Sequence, residues 1–250
     1  MTRREKILRI LSDKGQITYL ELEKIFPDIS NMTLRRDLIG LEKEGQVVRT
    51  RGGAVARAQI AVSAENAYSL RTTENVDAKM QIAQKAKTLI RPGRAVYLDS
   101  GTTMMCFARI IPDDNLYIIT SGPNIALEVM RDNNLTLLML GGNLNRNNLS
   151  VSGTHSLEMV EKINIDIAFL VASGYDRENG FTCGTFSESE LKRAIMQKAR
   201  QTVLLMDSSK IERSMPFTFS AFEDIDIFVT DDNMPQMVLD EARSKGIIVL

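Results

Sequence analysis

Seven short apolar runs, separated by stretches of helical periodicity, constrain this chain more than any other feature. They are Ala95 to Leu98, Leu116 to Ile119, Leu135 to Leu140, Ile167 to Ala172, Val203 to Met206, Ile225 to Val229 and Ile247 to Leu250. Runs this short and this continuously apolar suit strands buried on both faces, and helical spacers between strands favour parallel pairing. The pattern predicts an α/β domain built on a mostly parallel sheet. A helix starting near Asp77 leads into it, with Met80, Ile82, Ala83, Ala86, Leu89 and Ile90 on its apolar face and Pro92-Gly93 at its end.

The residues that follow the runs carry chemistry. They read Asp99-Ser100-Gly101-Thr102-Thr103, Thr120-Ser121-Gly122-Pro123-Asn124, Gly141-Gly142-Asn143, Ser173-Gly174-Tyr175-Asp176 and Asp207-Ser208-Ser209-Lys210. In open α/β sheets ligands bind beyond the carboxyl ends of the strands. Backbone N–H groups and hydroxyls there suit phosphate and sugar oxygens, although glycine and serine are also ordinary turn residues. Asp99 to Thr103 is the sharpest case. Small residues open the next helix, and two threonines add hydroxyls, which is anion-binding chemistry.

The N-terminal stretch is organised differently. Arg3 to Asp13 reads as a helix buried through Ile7, Leu8, Ile10 and Leu11, with Gly15 as its stop. Thr18 and Glu21 form a capping-box pattern for a second helix, which runs to Phe26 and buries Leu20, Leu22 or Ile25, and Phe26. After a turn at Pro27-Asp28, Ser30 caps a third helix whose Leu34, Leu38 and Leu41 line one side. Met32, Arg36, Ile39 and Lys43 fall opposite, with Arg35 on the flank. Gln46 to Thr50 and Ala54 to Arg57 flank Gly52-Gly53 as a two-strand wing. Arginine pairs also occur on merely solvated helices, but two helices, a turn and an arginine-bearing third make a helix-turn-helix.

Charge supports that division. Residues 1–57 hold 12 Lys/Arg against 8 Asp/Glu, and the remainder 19 against 24. A positive small domain on a negative large one suits DNA binding confined to the N-terminus. The expected domains are 1–57 for DNA binding, 58–76 as a linker, and 77–250 for effector binding and oligomerisation. No apolar run is long enough to span a membrane, and Thr2-Arg3-Arg4-Glu5 opens the chain without a secretory signal, so a cytoplasmic protein is expected. Cys106 and Cys183 stand apart without metal-ligand spacing, and neither metal nor cofactor is expected.

At this point the chain resembles the DeoR family of bacterial transcription regulators. Thr33 to Leu38 matches the family's Thr-(Ile/Leu)-Arg-Arg-Asp-Leu recognition helix, and Arg51 to Ala54 its basic Gly-Gly-Ala wing. Pro27-Asp28-Ile29 supplies three residues before the cap serine where the family usually has two. The resemblance continues through Asp99 to Thr103, Gly141-Gly142, Gly174 to Thr182, Glu190-Leu191-Lys192 and Asp207 to Lys210. The family's Thr-Asn-Ser strand end is altered here to Thr120-Ser121-Gly122.

The resemblance implies a winged helix-turn-helix joined to a larger α/β domain similar in fold to ribose-5-phosphate isomerase and the CoA transferases, sensing a phosphorylated sugar or polyol. On that reading Asn31, Met32, Thr33, Arg35 and Arg36 meet the groove of double-stranded operator DNA, with Arg49, Arg51 and Gly52 at the phosphate backbone. Ser100, Gly101, Thr102 and Thr103 hold the effector's phosphate, and Lys192 or Lys210 neutralises it. Asp99, Asn124 and Ser173 or Asp176 read hydroxyls, and Ser121, Gly141, Gly142 and Gly174 complete the pocket. Asn124 could instead cap the helix after Pro123, and Lys210 could be a solvated loop lysine. The expected protein is a non-catalytic repressor of sugar metabolism acting as a dimer or tetramer. The competing readings are an isomerase-like enzyme with a DNA-binding head, and a ligand-independent DNA-binding oligomer. The only histidine, His155, follows Gly153-Thr154 at a helix head and suits a structural or solvent-facing place better than a catalytic one.

Overall fold

The computed structural model describes residues 3–14, 16–27, 29–43, 46–50, 52–56, 68–112, 114–131 and 134–250. The chain divides into two compact units, residues 1–64 and 65–250.

In the first unit, α1 (Arg3–Lys14), β1 (Gln16–Thr18), α2 (Tyr19–Ile25) and α3 (Asn31–Lys43) precede a hairpin of β2 (Val47–Thr50) and β3 (Gly53–Ala56). Ile7, Leu11, Leu22, Leu34, Leu38, Leu41 and Val47 form the core, each with 1% exposure or less. Thr18 and Glu21 form the expected capping box, with the Thr18 N–H donating to Glu21 Oε2 at 2.8 Å and the Glu21 N–H to Thr18 Oγ1 at 3.2 Å. Leu20 departs from the sequence reading. It is 70% exposed, because one residue after the first helical position it turns away from the side that buries Leu22. The wing also gains a strand: β1 pairs with β3 in the order β1-β3-β2. Gly53 permits that pairing, since a Cβ there would lie 2.0 Å from the Ile17 carbonyl oxygen.

Asp37 ties α3 to α1. Its side chain, 8% exposed, accepts from Arg3 Nε at 2.5 Å and Arg4 Nε at 3.3 Å. Burial alone would push the carboxyl up, but the two arginines outweigh it and hold Asp37 below the usual carboxylate range. A carboxylate lowered on folding contributes stability above its unfolded pKa of about 3.9, and that contribution is lost as pH falls through the folded value. Thermal melts of the first unit should therefore fall in wild type between about pH 5 and pH 2. Asp37→Asn should start lower at neutral pH and flatten over that window. Parallel pH curves would show that the pair contributes nothing.

The second unit begins with α4 (Tyr68–Arg71) and α5 (Val76–Lys87). Residues 68–76, expected in the linker, are part of this unit: the Tyr68 N–H donates to Asn147 O at 2.9 Å and its hydroxyl accepts from Asn124 Nδ2 at 2.6 Å. Then come β4 (Ala95–Leu98), α6 (Thr102–Ala108), β5 (Tyr117–Thr120), α7 (Pro123–Val129), β6 (Thr136–Met139), β7 (Asn143–Asn145), β8 (Ser150–Ser152), α8 (Thr154–Val160) and β9 (Ile167–Val171). The chain continues with β10 (Gly174–Asp176), β11 (Gly180–Cys183), α9 (Phe186–Lys198), β12 (Thr202–Leu205), β13 (Phe217–Ser220), β14 (Ile227–Val229), α10 (Gln236–Ser244) and β15 (Ile248–Val249).

All seven apolar runs join one sheet, in the order β15-β14-β12-β9-β4-β5-β6, with every pairing parallel. Strand alternation divides its side chains between two cores. Val96, Leu98, Ile118, Phe169, Val203 and Leu205 pack with α5, α6 and α7. Tyr97, Ile119, Ala168, Leu170, Leu204 and Phe228 pack with α8, α9 and α10. From β4 the chain winds outward through β5 to β6, and from β9 it winds the other way to β15. The strand order therefore reverses between β4 and β9, and a crevice opens beyond their carboxyl ends. Among the described residues, no helix is long and apolar enough to cross a membrane.

Candidate functional site

The crevice at that reversal is lined from β4 by Ser100, Gly101, Thr102 and Thr103, and from β9 by Val171, Ala172 and Ser173. Lys210, Arg71, Asn148 and Glu188 complete its wall. Asp99 organises the first loop from below: Oδ1 accepts the Ser100 N–H at 2.8 Å, and Oδ2 accepts the Val171 N–H at 3.0 Å and a bond from Lys192 Nζ. The hydroxyls of Ser100, Thr102 and Thr103 have no hydrogen-bond partner among the described residues, and no side chain caps α6. Its first-turn N–H groups lack intrahelical acceptors in any case. The loop therefore presents hydroxyl and amide donors to the crevice while its own carboxylate is spent beneath it.

Lys192 is the buried counterpart. It is 1% exposed, bonds Asp99 and the Val171 carbonyl (3.0 Å), and lies 3.5 Å from Glu188 Oε1. Burial works against its ammonium, but Asp99 and Glu188 outweigh it and raise its pKa above the ordinary lysine range. Lys192 thus sits between two carboxylates beneath the crevice. Glu188 Oε2 accepts from Asn148 Nδ2 at 3.0 Å, so an amide and a carboxylate stand together at one wall.

Several expected site residues lie elsewhere or are already engaged. Asp99 and Lys192 satisfy each other behind the loop rather than facing a ligand. Ser121 is 1% exposed and accepts the Tyr97 hydroxyl at 2.9 Å. Gly141 accepts the Ser156 hydroxyl through its carbonyl at 2.6 Å. Gly142, at φ +148°, shapes the turn into β7, where a Cβ would meet Ser152 O and Ser156 Oγ at 2.6 Å. Gly174 packs against the Arg213 backbone in β10. Asp176 closes the β10–β11 turn, accepting the N–H groups of Glu178 (2.9 Å) and Asn179 (2.7 Å). Asn124 does not cap α7; its amide holds Tyr68. His155 is 82% exposed on its side chain, beside Glu158 and away from the crevice. Arg71, Asn148 and Glu188 were missed. Only Glu188 left a readable signal, one helical turn before Lys192.

In the first unit, Met32, Arg35 and Arg36 are exposed on α3, and Met32 is 70% accessible. Arg36 has no ion-pair partner among the described residues, whereas the Arg35 guanidinium stacks 5.1 Å from the Tyr19 ring. The Thr33 hydroxyl is shared with Ser30 Oγ at 2.9 Å, and the Asn31 amide donates to Glu23. Arg49 pairs with Glu42 Oε2 at 2.7 Å, so its charge is already engaged. Gly52 is exposed and accepts the Tyr19 N–H at 2.8 Å, and Arg51 lies outside the described residues.

Residues 3–59 match the DeoR-like helix-turn-helix domain, and residues 74–232 match the DeoR C terminal sensor domain. The chain belongs to the DeoR family. The HTH-type transcriptional regulator GlpR of Haloferax volcanii is 31% identical over 99% of this chain and 96% of its own length. The HTH-type transcriptional repressor GlcR of Bacillus subtilis is 27% identical over 100% and 96%. A ribose 5-phosphate isomerase A from Methanocaldococcus jannaschii is similar over 55% of each chain at 19% identity and a TM-score of 0.41, too loose a likeness to bear on activity. This DeoR-family chain is a helix-turn-helix transcriptional regulator with a C-terminal sensor domain, and all the crevice residues but Arg71 lie within the sensor match.

Proposed function

We propose that this regulator is a repressor released from its operator by a phosphorylated sugar or polyol bound in the crevice between β4 and β9. The observation that carries the reading is the loop Ser100 to Thr103, whose three hydroxyls are unspent and whose donors face the crevice. A phosphate needs many donors, and Lys210 at the same wall adds a cation. Glu188 and Asn148 are suited to sugar hydroxyls, which both donate and accept. The repressor name of the GlcR relative supports the sign of regulation. A homodimer or tetramer reading paired half-sites supplies the operator geometry, and effector binding biases it between competent and incompetent states.

Thermal shift of the full chain with a panel of sugar and polyol phosphates tests the effector. A ligand at about 100 times its Kd stabilises its target by roughly 2.7 kcal/mol. Thr103→Ile should abolish the shift and the effector response while leaving operator binding intact. A normal response in that variant rejects the site, and no shift with any phosphate favours a ligand-independent regulator. Turnover of a sugar phosphate at an enzyme-like rate of roughly 1 s⁻¹ would favour catalysis instead.

On DNA, Arg36 is positioned to read a base edge, with Met32 and Arg35 beside it. Arg36→Ala should cost about 1–3 kcal/mol on the specific site and relax discrimination there. Competition binding against random DNA decides this. Equal losses on both would place Arg36 on the phosphate backbone.

A further inference from the structure

Resting on the phosphate reading above, we propose that Arg71 is a second cationic contact to the effector's phosphate, and that α4 is the strap through which occupancy is read. Arg71 is 8% exposed and lines the crevice together with the Ser100 to Thr103 loop. Among the described lining residues, Arg71 and Lys210 are the two cations. Lys192 is held by Asp99 and Glu188 and does not line the crevice. A phosphate monoester near neutral pH carries close to two negative charges. Lys210 supplies one positive charge at the wall, and Arg71 supplies a second. A guanidinium adds charge that no pH change removes, and its planar fork fits two phosphate oxygens at once.

The backbone that carries Arg71 is pinned from several sides. The Lys79 ammonium, 2% exposed, donates to the carbonyls of Arg71 and Glu74. Burial lowers the pKa of that lysine. Tyr68 is bonded to Asn147 and Asn124, and Asn75 Nδ2 donates to Ser209 Oγ at 2.9 Å beside Lys210. The strap thus touches the ends of β5 and β12 as well as the crevice. A ligand gripped by Arg71 therefore acts on this pinned segment of the sensor unit. Lys79 is a positioning residue in this arrangement, and Arg71 is the contact.

The test uses the full chain with inorganic phosphate, glycerol 3-phosphate and ribose 5-phosphate, and with glycerol and ribose as uncharged controls. For whichever phosphate binds wild type, Arg71→Ala should weaken binding roughly 10- to 100-fold, the loss of a charge-assisted fork. Arg71→Lys should recover part of it. In wild type the ligand should also slow amide exchange across residues 68–76, and that protection should vanish in Arg71→Ala. Melting without ligand checks that the variants fold, and Arg71→Gln replaces the alanine variant if it does not. If Thr103→Ile loses binding while Arg71→Ala keeps wild-type affinity, the phosphate reading stands and this proposal fails. Unchanged exchange at 68–76 on binding overturns the strap. If no phosphate binds wild type at all, the underlying reading fails and takes this proposal with it.

Discussion

Lys192→Met should destabilise the sensor unit by about 3–5 kcal/mol, the cost of removing one partner from a buried ion pair. The size follows from what is left behind. Asp99 is 2% exposed and Glu188 is 6% exposed, so water cannot replace the lost ammonium. Asp99 holds the Ser100 and Val171 N–H groups, and Lys192 holds the Val171 carbonyl, so one cluster fastens the ends of β4 and β9 together. Urea denaturation followed by a signal from the second unit measures the loss. Adding Asp99→Asn should recover part of the loss, because it removes a buried carboxylate that Lys192 no longer offsets. A loss below about 1 kcal/mol at neutral pH would show that the triad is energetically neutral.

That buried triad also marks where reading residues in order stops being enough. The seven apolar runs were legible because central strands buried on both faces must be apolar throughout and the edge strands β6 and β15 are apolar as well, and all seven entered a single parallel sheet. β7, β8, β10, β11 and β13 left no comparable trace, since segments such as Asn143-Leu144-Asn145 and Gly174-Tyr175-Asp176 mix polar and apolar residues over too short a span. β1 is equally short, and its partner strand lies far along the chain. At the crevice, the loop from Ser100 to Thr103 was legible because its chemistry is contiguous. Arg71 was not, because Tyr68 to Arg71 is too brief a helix to show a period and reaches the crevice only through tertiary contacts. Lys192 was legible as a lysine near the site but not as a buried one. Only the folded neighbourhood shows that Asp99 and Glu188 have already claimed its charge. The glycines and aspartates after the other strands were read as ligand groups on composition, yet Gly142 and Asp176 are used to build turns. Turn chemistry and phosphate chemistry draw on the same residue types, and burial separates them.

Gly53→Ala should abolish operator binding while leaving the sensor unit intact, whereas Gly52→Ala should leave the fold of both units unchanged. The two glycines are adjacent in the wing and differ only in surroundings. A Cβ on Gly52 meets nothing within 4 Å. A Cβ on Gly53 would sit 2.0 Å from the Ile17 carbonyl oxygen and 2.7 Å from Thr18 Cα, both backbone atoms that no rotamer change can move. The register there pairs Thr18 and Thr50 with Gly53, so the only relief is to separate β1 from β3. Overpacking in a rigid setting costs typically about 1–3 kcal/mol, and a backbone clash this close lies at or beyond the upper end. Separation of β1 also pulls on Thr18, whose capping box starts α2, and on Tyr19, whose N–H bonds the Gly52 carbonyl. The damage therefore passes from the wing to the helix on which α3 packs. Two-probe thermal melts, one reporting on each unit, should show an early transition in Gly53→Ala that is absent from Gly52→Ala. Operator titrations should rank the variants in the same order. If Gly53→Ala binds the operator as wild type does, then β1 and β3 do not pair in the DNA-bound protein, and the wing stands as a two-stranded hairpin.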